Sequence, residues 1–196
     1  MLKQVIAATN NAGKLKEFEA ILSPLGFQVV SMREAGVSAD PEETGTTFAA
    51  NAKIKALAVA ELANLPALAD DSGLCVDALG GAPGIYTARF GGEISQNEKN
   101  ELLLRTLAET RSADRSARFV SAICLAYPDG HCVEAEGICE GSILPAACGT
   151  NGFGYDPIFA DQWGRSFGEL PAEEKNRISH RAAALAALAE KLRATE

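Results

Sequence analysis

The chain has 196 residues and a formal net charge of −8 at pH 7, and 47% of its residues are hydrophobic and 22% charged. This composition is typical of a soluble globular protein, and we expect one domain covering residues 1–196 with enough chain to bury a sizeable core. The acidic balance, without a Lys/Arg cluster, argues against nucleic acid as a partner. No apolar run approaches the roughly 20 residues that span a bilayer, and the start, Met1–Gln4, lacks the apolar region of a signal peptide, so we expect a cytoplasmic protein without a membrane partner.

Strand-like and helix-like segments alternate along the chain. The first half of the chain predicts a strand at residues 3–9, a helix at 15–23, a strand at 27–30, a helix at 47–64 and short strands at 67–70 and 74–77. After a loop at 80–92, the second half predicts a helix at 96–109, strands at 116–127 and 132–144, a strand end at 155–159 and a helix at 179–193. Thr46 or Thr47 can cap the helix that ends near residue 64, and Ser179 can cap the last helix. A turn at Asp71-Ser72-Gly73 is expected between the two short strands. This order predicts an α/β fold with a mixed twisted sheet and flanking helices.

The cysteines give no sign of a metal centre. None of them forms a Cys-x-x-Cys pair, and their number is odd: Cys75, Cys124, Cys132, Cys139 and Cys148. A zinc site or a disulfide framework would need tighter or paired spacing. We therefore expect buried free thiols.

The turn between the first strand and the first helix is a candidate anion site. It consists of Thr9, Asn10, Asn11, Ala12, Gly13 and Lys14. A small, polar, Gly-containing turn ahead of a helix offers backbone amides to an anion, and Lys14 adds a positive charge. The turn is not a P-loop, because Ala8 stands where the first glycine would fall and Leu15 follows the lysine in place of Ser or Thr. An ordinary turn with a surface lysine is the alternative interpretation.

A group of carboxylates is the second candidate site. Its members are Glu42, Glu43, Asp70, Asp71 and Asp77. Mg²⁺ prefers oxygen ligands and usually takes only one or two carboxylates from a protein, with water and phosphate as the other ligands. Asp70 and Asp71 end a predicted strand, where ligands of α/β folds commonly bind. A solvated turn is the alternative interpretation and has slightly more local support, since Asp and Gly are good turn formers.

The predicted helix at 47–64 carries a lysine on an apolar face. Asn51, Lys55 and Val59 share that face with Phe48, whereas Lys53 points elsewhere. A lysine in this setting either extends its amine to solvent or faces a site.

Two segments near the C-terminus could contact a flat ligand. Phe153 and Tyr155, separated by Gly154 and followed by Asp156, can present ring faces to a base, or they can be core aromatics at the entry to a strand. His180 and Arg181 begin the last predicted helix, with Lys175 just upstream. Cations at a helix N-terminus oppose the macrodipole, which is easier to understand if an electron-rich ligand binds there. Ion pairs of these cations with Glu173, Glu174 or another acidic segment are the alternative.

Taken together, these motifs resemble the inosine triphosphate pyrophosphatase family, the Ham1-like non-canonical purine NTP pyrophosphatases. The resemblance rests on Thr-Asn-Asn-Ala-Gly-Lys at 9–14, Glu-Glu-Thr-Gly-Thr-Thr-Phe at 42–48, Asn-Ala-x-x-Lys-Ala at 51–56, the run from Ala69 to Tyr86, Gly-Phe-Gly-Tyr-Asp-Pro-Ile-Phe at 152–159 and Glu-Lys-x-x-Ile-Ser-His-Arg at 174–181. It implies an elongated α/β fold with a substrate cleft between two lobes, usually a homodimer. It also implies Mg²⁺-dependent hydrolysis of ITP, dITP and XTP to the nucleoside monophosphate and pyrophosphate, which cleanses the nucleotide pool.

The resemblance also implies roles for individual residues. Asp71 and Lys55 would be catalytic. Asp71 would act as general base or as the carboxylate that organises the metal, and Lys55 would contact the phosphates. Mg²⁺ would be held by Asp71 with Glu42 or Glu43, and the resemblance does not decide between the two glutamates. The substrate would meet the following residues: Thr9, Asn10, Asn11, Ala12, Gly13 and Lys14 at the phosphates, Ser72 in the site lining, and Phe153, Gly154, Tyr155, Asp156, Lys175, His180 and Arg181 in the base pocket.

Two other functions fit parts of the pattern. One is a pyrophosphatase for canonical or modified pyrimidine nucleotides on a related fold, which a substrate panel would separate. The other is a nucleotide-binding module without catalysis. The intact set of carboxylates and lysines argues against a pure binder, which has no need of a water-activating Asp71.

Overall fold

The computed structural model describes residues 3–194, so Met1 and Leu2 of the N-terminal segment considered above lie outside the described residues. The elements are β1 (Lys3–Ala7), α1 (Ala12–Leu22), β2 (Phe27–Ser31), α2 (Phe48–Ala63), β3 (Ala67–Val76), α3 (Gln96–Glu109), β4 (Ser116–Ala126), β5 (Cys132–Ile143), β6 (Phe159–Asp161), α4 (Ala172–Ile178) and α5 (His180–Ala194). Short 3₁₀ turns join several of them. In this part of the chain no helix is both long and apolar enough to cross a membrane.

The described strands form a mixed sheet in the order β2-β1-β3-β4-β5-β6. β1 pairs in parallel with β2 and with β3, whereas β5 and β6 pair antiparallel. The predicted α/β class with a mixed sheet is therefore confirmed. Parallel neighbours need crossover connections, and α1 and α2 lie between the strands of the parallel pairs in the sequence.

The chain divides into two compact units. Unit 1 contains the chain up to Asp71, the segment Ser121–Gly137 and the chain from Arg181 onward. Unit 2 contains Ser72–Val120 and Ile138–His180. Each unit has its own apolar core. Phe18, Leu68 and Leu185 are among the buried residues of unit 1, and Leu103 and Phe159 are among those of unit 2.

Asp71, Ser72 and Gly73 lie within one continuous ten-residue strand, and the prediction of a turn between two short strands was wrong. Aspartate is depleted in strands, which is why the sequence favoured a turn. In the fold, cations pair with the carboxylates of Asp70 and Asp71. The turn propensity of aspartate therefore does not determine the backbone conformation at these residues.

Two more boundaries differ from the sequence prediction. The strand end expected at 155–159 is a 3₁₀ turn over Asp156–Ile158 followed by β6, because Pro157 fixes a helical φ at the second position of the turn. The sequence also does not predict α4, which ends at Ile178 and has Ser179 as its C-cap, just before α5 begins. The alternative caps of α2 are resolved, since the Thr47 hydroxyl accepts the amide of Ala50 at 3.1 Å.

The cysteines are free thiols, but not all of them are buried. Cys124 and Cys139 are buried, Cys75 and Cys132 are half-buried, and Cys148 is exposed. The expectation of buried thiols was therefore wrong for Cys148, which lies in the exposed loop that follows Ile143.

Candidate active site

β3 carries the two carboxylates around which the candidate site is built. Neighbouring residues of a strand point to opposite faces, so Asp70 and Asp71 meet different partners. Both are buried, and the residues that contact them lie with them in unit 1.

Asp71 lies in a cluster with a second carboxylate and one lysine. The Nζ atom of Lys55 is 2.8 Å from Oδ1 of Asp71 and 2.9 Å from Oε1 of Glu43. Nδ2 of Asn51 donates to Oδ2 of Asp71 at 3.3 Å. Asn51 and Lys55 are four residues apart on α2, so the helix presents both to the same carboxylate. Lys55 therefore faces a site rather than solvent.

The charges around Asp71 tune its basicity. Burial raises the pKa of Asp71, and the charge of Glu43 adds to that effect. Lys55 and Lys14 oppose the rise without cancelling it, and the pKa of Asp71 stays above its ordinary value. Burial lowers the pKa of Lys55, but the charges and hydrogen bonds of Asp71 and Glu43 raise it above its ordinary value. The cluster thus pairs a carboxylate of increased basicity with a firmly protonated lysine.

The structure distinguishes between the two glutamates of the acidic segment. Glu43 is half-buried and shares Lys55 with Asp71, whereas the side chain of Glu42 is exposed. The geometry favours Glu43 as the partner of Asp71. Among residues 3–194, no group of three or more His, Cys, Asp or Glu side chains is arranged to hold a metal ion, so the set available to a cation here is a pair of carboxylates.

Asp70 lies in a second, more deeply buried cluster. Its Oδ2 atom is 2.7 Å from Nζ of Lys14 and 2.9 Å from Nη2 of Arg181, and Oδ1 accepts the hydroxyl of Ser121. Arg181 also forms an ion pair with Glu17 of α1. Burial alone would raise the pKa of Asp70, but the charges of Arg181 and Lys14 and the hydrogen bonds from Lys14 and Ser121 hold it well below the ordinary value.

The turn at 9–14, predicted as an anion site, is closed by its own hydrogen bonds. Asn11 caps α1, and its Oδ1 accepts the amides of Gly13 at 2.8 Å and Lys14 at 3.1 Å. The amide of Asn11 donates to the hydroxyl of Thr9. These three amides therefore donate within the turn, as N-capping requires, and contact of residues 9–14 with the phosphates stays a prediction. Asn10 and Ala12 are exposed, and Gly13 is half-buried.

Lys14 is not a surface lysine. Its side chain is 16% exposed and held by Asp70, and burial is the main cause that lowers its pKa, with the charges of Arg181 and Lys55 adding to it. It is a largely buried cation that pairs with Asp70, and the sequence does not predict this pair.

In unit 2 the loop Gly152–Asp156 is closed by Asp156. Oδ2 of Asp156 accepts the amide of Phe153 at 2.7 Å and lies 2.6 Å from Nζ of Lys175. The same Nζ is 4.5 Å from the centroid of the Phe153 ring, within the range of a cation–π contact. Gly152 has φ of 73°, and a Cβ there would come within 2.0 Å of Oδ2 of Asp156, so this closure needs glycine.

The two aromatic residues of that loop differ in exposure. Phe153 and Gly154 are half-buried. Tyr155 is buried in the core of unit 2, and its hydroxyl donates to the carbonyl oxygen of Thr87 at 3.1 Å. The expectation that both rings are presented to a base was wrong for Tyr155, because its apolar ring is core material.

The cations at the start of the last helix have partners other than the nearby glutamates. Lys175 pairs with Asp156, and Arg181 pairs with Asp70 and Glu17. The buried ring of His180 stacks on Phe119, with centroids 4.8 Å apart. The alternative of ion pairs is confirmed for Lys175 and Arg181, since carboxylates of other acidic segments neutralise them. Ser72, the remaining predicted site residue, is half-buried in β3.

Three residues of these clusters were not singled out as site residues. The sequence pattern places Asn51 on the same helix face as Lys55, and this four-residue spacing is the feature that indicates its place beside Asp71. Glu17 and Ser121 meet Arg181 and Asp70 across 164 and 51 residues of sequence. Local patterns carry no information about pairs at that separation.

Comparison with known proteins places this arrangement in a family. The model of the Ham1 family matches residues 5–191. The chain belongs to the Ham1 family. It is 48% identical to a dITP/XTP pyrophosphatase of Thermus thermophilus over 95% of this chain and 90% of that protein. It is 50% identical to a dITP/XTP pyrophosphatase of Halalkalibacterium halodurans over 94% of this chain and 96% of that protein.

Solved structures of the Ham1 family have the same fold. A HAM1 protein from Coxiella burnetii is 40% identical, with a TM-score of 0.88 and coverage of 98% of both chains. The Ham1 protein of Staphylococcus aureus is 39% identical, with a TM-score of 0.86 and coverage of 99% of this chain and 100% of that one.

Proposed function

We propose that this Ham1-family chain hydrolyses non-canonical purine nucleoside triphosphates, namely ITP, dITP and XTP, to the nucleoside monophosphate and pyrophosphate. The observation that carries the proposal is the cluster of Asp71, Lys55 and Glu43, which joins a carboxylate of raised pKa to a protonated lysine and a second carboxylate. Relatives that share nearly half of the sequence bear the name dITP/XTP pyrophosphatase.

Asp71 is the residue proposed to act on water. Phosphoryl transfer needs charge neutralisation and alignment of the nucleophile more than covalent help from the protein. A carboxylate whose pKa lies above the ordinary value is a stronger base, and Asp71 has that property because of burial. Asp71 would orient a water molecule for attack on the α-phosphorus and accept its proton, while Lys55 would stabilise the charge that develops on the phosphate.

The same cluster is suited to a divalent cation. Asp71 and Glu43 bring two carboxylates to one lysine, so the group carries an excess of negative charge. Mg²⁺ takes one or two protein carboxylates and fills its other positions with water and phosphate oxygens, which fits this set. We propose that Asp71 and Glu43 hold Mg²⁺, and that the ion, when bound, neutralises charge on the triphosphate.

Base selection is proposed to depend on residues of unit 2. The half-buried Phe153 ring is suited to stacking on a base, and Lys175 and His180 supply hydrogen-bond donors. Hypoxanthine and xanthine present a 6-oxo acceptor, whereas adenine presents a 6-amino donor. A donor that faces adenine would be left unpaired, and such mismatches give discrimination of about 10⁴-fold.

The family resemblance further supports a cytoplasmic homodimer. Sedimentation velocity of the purified chain tests the second of these properties, because a monomer and a dimer of a 20.5 kDa chain differ clearly in sedimentation coefficient. A monomer at all accessible concentrations contradicts it.

The decisive experiment is pyrophosphate release from a nucleotide panel with and without Mg²⁺. We expect ITP, dITP and XTP to be hydrolysed far faster than ATP, GTP and the pyrimidine triphosphates, and only in the presence of Mg²⁺. Equal turnover of ATP and ITP would overturn the proposed specificity. Unchanged rates after chelation of divalent ions would overturn the metal proposal separately.

A further inference from the structure

We propose that Asn51 is a positioning residue that holds the Glu43 segment and Asp71 in register with each other. The inference rests on the proposed function, since it concerns the alignment of the proposed base. Asn51 is fully buried on α2. Its Oδ1 accepts the amide of Gly45 at 2.8 Å, and its Nδ2 donates to Oδ2 of Asp71 at 3.3 Å. One side chain therefore connects both carboxylate-bearing segments.

The two contacts fix the orientation of the Asn51 amide. The Gly45 amide is a donor and needs an oxygen, whereas a carboxylate is an acceptor and needs an N–H. Rotating the amide by half a turn would break both hydrogen bonds at once. A residue with only one polar function cannot replace it, because the position requires an acceptor on one side and a donor on the other.

The Gly45 side of this connection leaves no room for a side chain. A Cβ at Gly45 would lie 2.6 Å from Oδ1 of Asn51 and 2.7 Å from Cβ of Ala50. The backbone thus comes as close to Asn51 as glycine allows. The residues around Gly45 have no helix or strand to fix them, so this backbone contact, beside the ion pair of Glu43 with Lys55, ties the segment that carries Glu43 to α2.

The Asp71 side decides how the carboxylate is oriented. Oδ1 of Asp71 faces Lys55 and Oδ2 faces Asn51, so both oxygens are held. Small displacements of a reacting group cost large factors in rate, and loss of a partner that orients a ligating carboxylate typically costs about 10–100-fold. We expect the effect of Asn51 to fall on kcat, because alignment of water matters only in the transition state.

The test uses variants that cut one side of the connection at a time. Asn51→Asp keeps an acceptor for Gly45 and removes the donor to Asp71, in a side chain of nearly the same size. Gly45→Ala disturbs the other side and leaves the donor in place. For both variants we expect kcat with dITP and Mg²⁺ to fall by about 10–100-fold with KM changed by less than about threefold. In the double variant the two losses should combine to less than their product, because both act through one side chain.

Two controls separate positioning from general stability. Ala60→Gly, a buried position on the same helix, should lower Tm and leave kcat within about twofold. Amide hydrogen exchange at Gly45 is the readout that does not depend on catalysis. The Gly45 amide should stay protected in Asn51→Asp and exchange faster in Asn51→Leu, which offers no acceptor.

The outcomes divide cleanly. If the wild type hydrolyses dITP and Asn51→Asp keeps kcat within about twofold, the inference is overturned while the proposed function stands. It is also overturned if Ala60→Gly loses as much kcat as Asn51→Asp for the same fall in Tm. If the wild type hydrolyses no nucleotide, the proposed function fails, and unchanged Gly45 exchange in Asn51→Leu would independently overturn the connection itself. Should Asn51→Leu not fold, Asn51→Asp and Gly45→Ala still decide the matter.

Discussion

Asp70 and Asp71 are neighbours in β3, yet their surroundings differ in charge balance. The cluster around Asp70 joins two carboxylates, with Glu17, to two cations, Lys14 and Arg181. The cluster around Asp71 joins two carboxylates to one lysine. The first is neutral, which suits a structural element. The second has excess negative charge and contains the partly exposed Glu43, which suits a cation and a phosphate.

The pKa shifts follow from that difference. Cationic neighbours outweigh burial at Asp70 and hold its pKa well below the ordinary value. Burial outweighs Lys55 at Asp71 and keeps its pKa raised. Adjacent aspartates of one strand thus differ in the direction of their shifts, because the strand places them on opposite faces. Substitutions at the two positions should therefore affect different properties.

The largest expected effect is on catalysis at Asp71. Asp71→Asn keeps the shape of the side chain and removes the proposed base, so kcat should fall by about 10²–10⁴-fold. The free energy of unfolding at pH 7 should change by less than about 1 kcal/mol, because ionised Asp71 is not strongly stabilised by its site. Steady-state kinetics and urea unfolding of the same preparation test both statements. A variant that keeps more than about a tenth of the wild-type kcat contradicts the role of Asp71.

At Asp70 we expect the main effect on stability. Asp70→Asn leaves Lys14 and Arg181 buried with one carboxylate fewer, and breaking a buried ion pair in this way costs about 3–5 kcal/mol. For a chain of this length that corresponds to a fall in Tm of roughly 10 °C. Thermal unfolding at equal ionic strength measures it, with Asp71→Asn as the matched control. Equal Tm values for the two variants would show that Asp70 and Asp71 do not differ in their contribution to stability.

The pH dependence sharpens the same comparison. Because the pKa of Asp70 is lowered in the folded state, its stabilisation is present above the ordinary carboxyl pKa of about 3.9 and is lost as pH falls below it. The stability gap between wild type and Asp70→Asn should therefore be constant from about pH 5 to 7 and shrink below about pH 4. The raised pKa of Asp71 has the opposite sign, so Asp71→Asn should gain stability relative to wild type as pH rises from about 3 to 7.

Much of the fold could be predicted from the sequence, because most elements have clear apolar periodicity. The helix over Gln96–Glu109 and the strands on either side of Pro128 were recovered nearly to the residue. The motif around Asp71 and the helical spacing of Lys55 also pointed to residues that the fold brings together.

The cluster around Asp70 could not be predicted in the same way. Its ion pair between Glu17 and Arg181 joins segments far apart in the sequence, and nothing local to Asp70 indicates its cationic partners. The capping role of Asn11, in contrast, was visible in the sequence, because Asn before a helix is a preferred N-cap. It was missed because the turn was considered as an anion site.

The next largest effect separates the two glutamates. Glu43 shares Lys55 with Asp71, whereas Glu42 is exposed. Glu43→Gln should lower kcat by about 10–100-fold and raise the Mg²⁺ concentration needed for half-maximal rate. Glu42→Gln is the matched control and should stay within about twofold of wild type in both. The reverse order of the two variants would show that the register of this segment differs from the one described.

The smallest effect concerns Ser121, whose hydroxyl donates to Asp70. Ser121→Ala removes one hydrogen bond and leaves Lys14 and Arg181 in place, so the cost should be near 1 kcal/mol, or a fall in Tm of roughly 2–4 °C. kcat should be unchanged, since Ser121 contacts the neutral cluster and not the one around Asp71. Unfolding and turnover of this variant, beside Asp70→Asn, test whether the two faces of β3 are energetically separate. A loss of kcat larger than about tenfold would mean that the buried charges at Asp70 also set the alignment of Asp71 and Lys55.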